Sequence, residues 1–219
     1  MNRKSIFGVA ALALIAGSLA IAQTAKDPKD GKATKPAGDM PAGFQIPSDR
    51  TPEDFAACGV AAAPGAQHEY LKKSVGVWEG KMEMLMSPMS SPMTSTCTTT
   101  ITSIMGDRYI QCDTKGDMGG MPFIGMGING FDNVSGKFVG SWIDNMGTGI
   151  MNGTGEQSKD GKTINWNFTY NCPITKKPAI WREVDTHTGP NTMTLEMFTN
   201  DPKTGKEFRV MKIDYTKKS

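Results

Sequence analysis

The residues most suggestive of chemistry are methionines: Met82, Met84, Met86, Met89 and Met93, then Met118, Met121, Met126, Met146 and Met151. A flexible thioether fills irregular cores, lines cavities for apolar ligands of varied shape, or binds Cu(I). Met82, Met84 and Met86 repeat with a strand period that packing explains, and no histidine or cysteine lies beside them to complete a metal site. The two histidines, His68 and His187, rule out a zinc site built on several imidazoles. Either could serve as a single axial ligand to haem, though His68 on a short helix also suits packing or capping. No cofactor is therefore predicted, with haem and copper left open. Glu183, Asp144, Arg182 and Arg108 are the charged residues expected to face an enclosed space or its mouth. Facing carboxylates do acid–base work, while paired arginine and glutamate are usually structural ions. Gly125-Met126-Gly127-Ile128-Asn129-Gly130 matches the Gly-x-Gly-x-x-Gly of dinucleotide sites. It runs into Phe131-Asp132 and a turn rather than a helix start, so these glycines are read as places where strands bend and approach closely.

The elements that position these groups fall in a clear order. Asn2, Arg3 and Lys4, the apolar run Ile6 to Ile15 and the Ala20-Ile21-Ala22 end read as a cleavable signal peptide over residues 1–22. The expectation is export to the periplasm or medium, with no membrane segment left after cleavage. Removing Arg3 and Lys4 lowers 24 basic residues to 22, against 22 acidic ones. A formally neutral mature chain has no overall basic field for nucleic acid. Residues 23–50, rich in Lys, Asp, Ala, Pro and Gly, bury too little apolar surface to offset ordering entropy and are read as a flexible linker. Thr51-Pro52-Glu53-Asp54 opens a short helical lead-in over 51–66, and a second short helix is expected from about Gln67 to Ser74.

Past Val77 the period changes. Trp78, Met82, Met84 and Met86 share one strand face against Glu79, Lys81 and Glu83; Ile164, Trp166, Phe168 and Tyr170 likewise oppose Asn165, Asn167, Thr169 and Asn171. Glycine-, asparagine- and aspartate-bearing turns, such as Met105-Gly106-Asp107 and Asp201 to Gly205, delimit about ten strands with short connections. A meander with one apolar face must close into a barrel or fold over itself to bury it, and closure also removes the exposed edges. The fold class read over residues 67–219 is thus all-β: an antiparallel up-and-down barrel of about ten strands.

Cys58, Cys97, Cys112 and Cys172 permit two disulfides in three pairings. A hairpin turning at Gly106-Asp107 puts Cys97 opposite Gly116, leaving about 14 Å to Cys112 at about 3.4 Å per residue. That exceeds disulfide reach. Cys58 and Cys172 remain able to bridge.

Gly76-Val77-Trp78 after a short helix resembles the Gly-x-Trp opening of calycin (lipocalin-like) barrels. The ordered series His68, Leu71, Gly76, Trp78, Gly106-Asp107-Arg108, Gly119 to Phe123, Gly127, Gly130-Phe131-Asp132, Trp142 to Met146, Gly153, Glu183 and Tyr215 more specifically resembles a bacterial family of secreted proteins known only as a domain of unknown function. Phe131 stands where that family often has tyrosine, and the resemblance transfers no catalytic residue. The calycin resemblance implies a cation from the last strand over the first-strand tryptophan, with Arg209 as the candidate over Trp78.

The function these readings support is binding of a small apolar ligand in the lumen. Trp78, Met82, Met84, Ile164, Trp166, Phe168 and Leu195 would supply contacts, and Arg108 or Arg209 would orient a polar head. An enzyme using Glu183 or Asp144 as acid or base is the alternative. Cu(I) binding through Met82, Met84 and Met86 is third.

Overall fold

The computed structural model describes residues 45–218. The expected signal peptide, residues 1–22, and residues 23–44 of the expected linker lie outside the described residues. In the first of two units, helix α1 (Pro52–Ala62) starts at a reciprocal cap. Thr51 Oγ1 accepts the Asp54 N–H, Asp54 accepts the Thr51 N–H at 2.9 Å, and Pro52 spends no donor at the first helical position.

The second unit, Pro64–Ser219, begins with helix α2 (Ala66–Lys72). Ten strands follow: β1 (Gly76–Met84), β2 (Met93–Ile104), β3 (Tyr109–Met118), β4 (Met121–Asp132), β5 (Lys137–Asp144), β6 (Met151–Gln157), β7 (Thr163–Asn171), β8 (Pro178–Gly189), β9 (Thr192–Asn200) and β10 (Glu207–Lys217). Each pairs antiparallel with the next, and β1 pairs with β10, closing the expected barrel. The turns work as their residues dictate: Met105, Gly106, Asp107, Gly136, Gly161 and Gly205 all take positive φ. Closure leaves no exposed edge to recruit another strand.

One end of the barrel is plugged by α2. The Tyr70 hydroxyl donates to the Lys162 carbonyl in the β6–β7 turn at 3.0 Å, and the Trp78 indole N–H donates to the Ser74 carbonyl at 2.7 Å. Phe138 meets Tyr70, Phe131 and Trp166 edge-on, and Trp166 stacks on Phe168. Trp78, Trp166 and Phe138 are fully buried, which places the densest core at this end and mid-barrel. Glycines on β5 and β6 make room for the rings. A Cβ at Gly153 would sit 2.6 Å from the Phe168 ring, and one at Gly155 would sit 2.8 Å from the Trp166 ring. The opposite end carries the loops 85–92, 119–120, 145–150, 172–177 and 201–206.

Candidate functional site

The inward rows of neighbouring strands define the site. On β7 the row is Ile164, Trp166, Phe168 and Tyr170; on β8 it is Trp181, Glu183, Asp185 and His187. Glu183 lies between Trp166 on β7 and Met197 on β9, and Asp185 between Ile164 and Leu195. The Trp166 indole N–H donates to Asp185 Oδ2 at 3.1 Å. Burial raises the Glu183 carboxyl well above its ordinary range, and the Asp185 charge adds to the rise. Burial likewise pushes Asp185 up to about 7, partly opposed by the hydrogen bond from Trp166. Across the lumen on β3, Cys112 is pushed up to about 12, by burial first and then by the charges of Asp185 and Glu183. Among the described residues no ion pair engages Glu183 or Asp185.

Depth and accessibility differ at this pair in an informative way. Both carboxyls lie deep among protein atoms, yet neither residue is sealed as Trp166 is at 1 % exposure. Cys112 and Leu195, also facing inward, are equally unsealed. Trp181 shares their row, and its indole N–H is buried without an acceptor. Such a group costs about 1–3 kcal/mol when nothing satisfies it.

The residues singled out from the sequence divide into two sets. Trp78, Met82, Met84, Trp166 and Phe168 are buried in the interior, and Glu183 joins them there. Arg209 does not. Its guanidinium binds Glu196 at 2.9 Å and Glu83 at 3.0 Å on the outer wall, because the register slips between Arg209 and Met211 and reverses the alternation assumed for β10. The cation over the Trp78 ring is Lys217, 5.4 Å from the centroid, placed there because Trp78 pairs with the end of β10 rather than its start. Arg108 belongs to the β2–β3 turn at the α2 end, where it donates to the Met105 and Gly106 carbonyls.

Asp144 ends β5 and accepts from the Trp142 indole and the Met146 N–H, both at 2.9 Å, so it is held as a strand-end cap. Met86 lies beyond the end of β1 and is 70 % exposed, which separates it from the buried Met82 and Met84. Both histidines serve packing. His68 Nδ1 accepts the Gly65 N–H at 2.9 Å, and His187 Nε2 lies 3.1 Å from Ser74 Oγ with its ring edge-on to Tyr70. Burial lowers both pKa values. The four cysteines are free thiols, with Cys97 opposite Gly116 as expected, so no Cys58–Cys172 bridge is present. The Gly-x-Gly-x-x-Gly segment lies within β4, where Gly125 and Gly127 seat the Trp142 ring.

Asp185 went unrecognised in the sequence. The available signal was its spacing of two from Glu183, which puts both on one strand face. A 560 Å³ groove outside the barrel, lined by Lys81, Glu83, Arg209, Lys212 and Asp214, is less suited to a ligand. Glu83 and Arg209 pair with each other there, as do Lys212 and Asp214, and all face open solvent.

A closed ten-stranded meander, plugged at one end by a helix and lined with aromatic and thioether side chains, is a calycin-like barrel. The chain belongs to the family described as "Protein of unknown function (DUF1579)", whose profile matches residues 63–217. Among solved structures it is similar to the S-type phycobiliprotein lyase CPES from Guillardia theta, with 11 % identity, TM-score 0.51, and 71 % of this chain and 94 % of that one covered. It is also similar to Rv2717c from M. tuberculosis, with 13 % identity, TM-score 0.53, and 72 % and 100 % covered. At these identities the likeness concerns the fold. Curated protein sequences contain no significant match. No helix among the described residues is long and apolar enough to cross a membrane.

Proposed function

We propose that this protein binds a small, mostly apolar molecule in the barrel lumen and, given the leader-like residues 1–22, does so outside the cytoplasm. The observation that carries the reading is the Glu183–Asp185 pair. Two carboxyls without a cationic partner stand deep in an aromatic and methionine wall, yet neither is sealed. Such a pair costs stability, since burying carboxyls disfavours their charged form. A costly group persists where a function uses it, and perturbed carboxyls cluster at functional sites. The unsatisfied indole N–H of Trp181 on the same row is a second polar group able to orient a ligand. Trp181, Tyr170 and Leu195, inward and not sealed, supply dispersion contacts that a mostly apolar body needs, backed by the buried Trp166, Phe168 and Met197. Ligand handling by a barrel of this type has a parallel in name only in the phycobiliprotein lyase, whose activity is its own.

Native mass spectrometry of the protein purified from its own source tests the reading. A mass increment that disappears on denaturation is expected; a clean apo mass, together with failure to take up any apolar dye, refutes it. The Asp185 carboxyl titrating near 7 favours one second reading, proton transfer to a bound substrate by the same pair. Recovery of the bound molecule in altered form would select that reading.

A further inference from the structure

Glu183 and Asp185 also constrain the polar end of the ligand. Among the described residues the inward positions carry one basic side chain, Lys217, which lies at the α2 end over Trp78. Arg182 and Arg209 are engaged on the outer wall by Glu207, and by Glu83 and Glu196. Glu183 meets no N–H donor, and its polar neighbour is the Asp185 carboxyl. A carboxylate ligand would add a third negative charge to this place. An ammonium supplies donors to groups that, once ionised, only accept, and indole faces attract cations.

We propose that the lumen selects a hydrophobic amine, its ammonium seated between the carboxyls of Glu183 and Asp185 and its apolar body running along the unsealed rings of Trp181 and Tyr170 toward the loop end of the barrel. This rests on the lumen-binding reading above and narrows its ligand class. The empty pair holds a proton at neutral pH, so seating an ammonium expels that proton and leaves two carboxylates around one cation. Amine affinity therefore rises with pH while the pair ionises.

Above pH 6.5 the other groups facing the pair do not exchange protons. Cys112 on β3, Cys97 on β2, Tyr215 on β10 and Tyr70 on α2 are all raised by burial and stay neutral. His187, further along β8, is lowered by burial and stays neutral above its ordinary value of 6.5. Trp166 on β7 and Leu195 and Met197 on β9 carry no titrating group.

Calorimetric titration with octylamine, octan-1-ol and octanoate at pH 6 and pH 8, with Nile red as a neutral reporter of the lumen, separates the possibilities. Octylamine is expected to bind at least about tenfold more tightly than octanol at pH 8, the margin of charge-assisted over neutral hydrogen bonds. Its affinity should fall by up to about tenfold at pH 6, with proton release seen as a difference between buffers of unlike ionisation enthalpy. Glu183→Gln should erase the amine preference, bringing octylamine to the affinity that octanol shows for the same variant. If that variant fails to fold, Asp185→Asn and the proton count on the unaltered protein serve instead. Octanol or octanoate binding as tightly as octylamine overturns the ammonium seat and leaves lumen binding intact. No binding of any of the four overturns both.

Discussion

Replacing Glu183 and Asp185 together, as Glu183→Gln with Asp185→Asn, should flatten the upper part of the stability–pH curve. The Asp185 carboxyl ordinarily titrates at 3.8 and is pushed up to about 7 in the fold. Between those values the folded chain holds a proton that the unfolded chain has released, so stability falls as pH rises and levels off above about 7. At about 1.36 kcal/mol per pH unit the loss is on the order of 4 kcal/mol, an upper bound because the group is not fully sealed. Glu183 acts in the same direction. The carboxylates of Asp107, Asp132, Asp160, Asp201 and Glu207 have the opposite sign: hydrogen bonds hold their pKa values low, so their contribution disappears only on acidification. Urea unfolding followed by circular dichroism, at half-unit steps from pH 4 to pH 8.5, measures the difference. The unaltered protein should lose several kcal/mol across this range, a large share of a typical stability of about 5–15 kcal/mol, and the double variant should not, because the burial-lowered His68 and His187 that remain raise stability with pH up to about 6.5. Parallel curves for the two proteins, or stability of the unaltered protein rising with pH between 6.5 and 8, would refute the placement of the pair.

Three further outcomes follow from the packing. Trp78→Ala removes a side chain with 0 % exposure and its bond to Ser74, and should cost about 3–5 kcal/mol in the same unfolding assay. Gly153→Ala puts a Cβ 2.6 Å from the Phe168 ring and 2.9 Å from the Asn167 carbonyl, so one of them must shift; a loss of about 1–3 kcal/mol is expected, readable as a lower denaturation midpoint. A thiol reagent at pH 8 should label exposed Cys58 promptly and reach buried Cys97 only on unfolding, which mass spectrometry of the labelled peptides resolves.

Much of the fold was legible in the residues because its determinants are local. Alternation in β1 and β7 sorts inside from outside, and Thr51-Pro52-Glu53-Asp54 spells out the start of α1. Gly106-Asp107 sets a hairpin register that separates Cys97 from Cys112. The candidate site was legible only in part, since β8 inverts the usual signal. Its inward row bears Glu183, Asp185 and His187 while Val184 faces out, so hydrophobic alternation gives no reason to turn the carboxyls inward.

Periodicity and turn chemistry, acting over a few residues, thus set the all-β meander, most of its turns and the inner face of its strongly alternating strands. Pairing across distance comes only with the assembled barrel. A slip in register after Arg209 sends that side chain to Glu83 and Glu196 and leaves Lys217 over Trp78. Barrel closure brings the Asp185 and Glu183 charges to bear on Cys112 from the far side of the lumen. The reason is physical: burial and the mutual charge of groups far apart in the chain depend on which strands enclose them, and no local pattern encodes that.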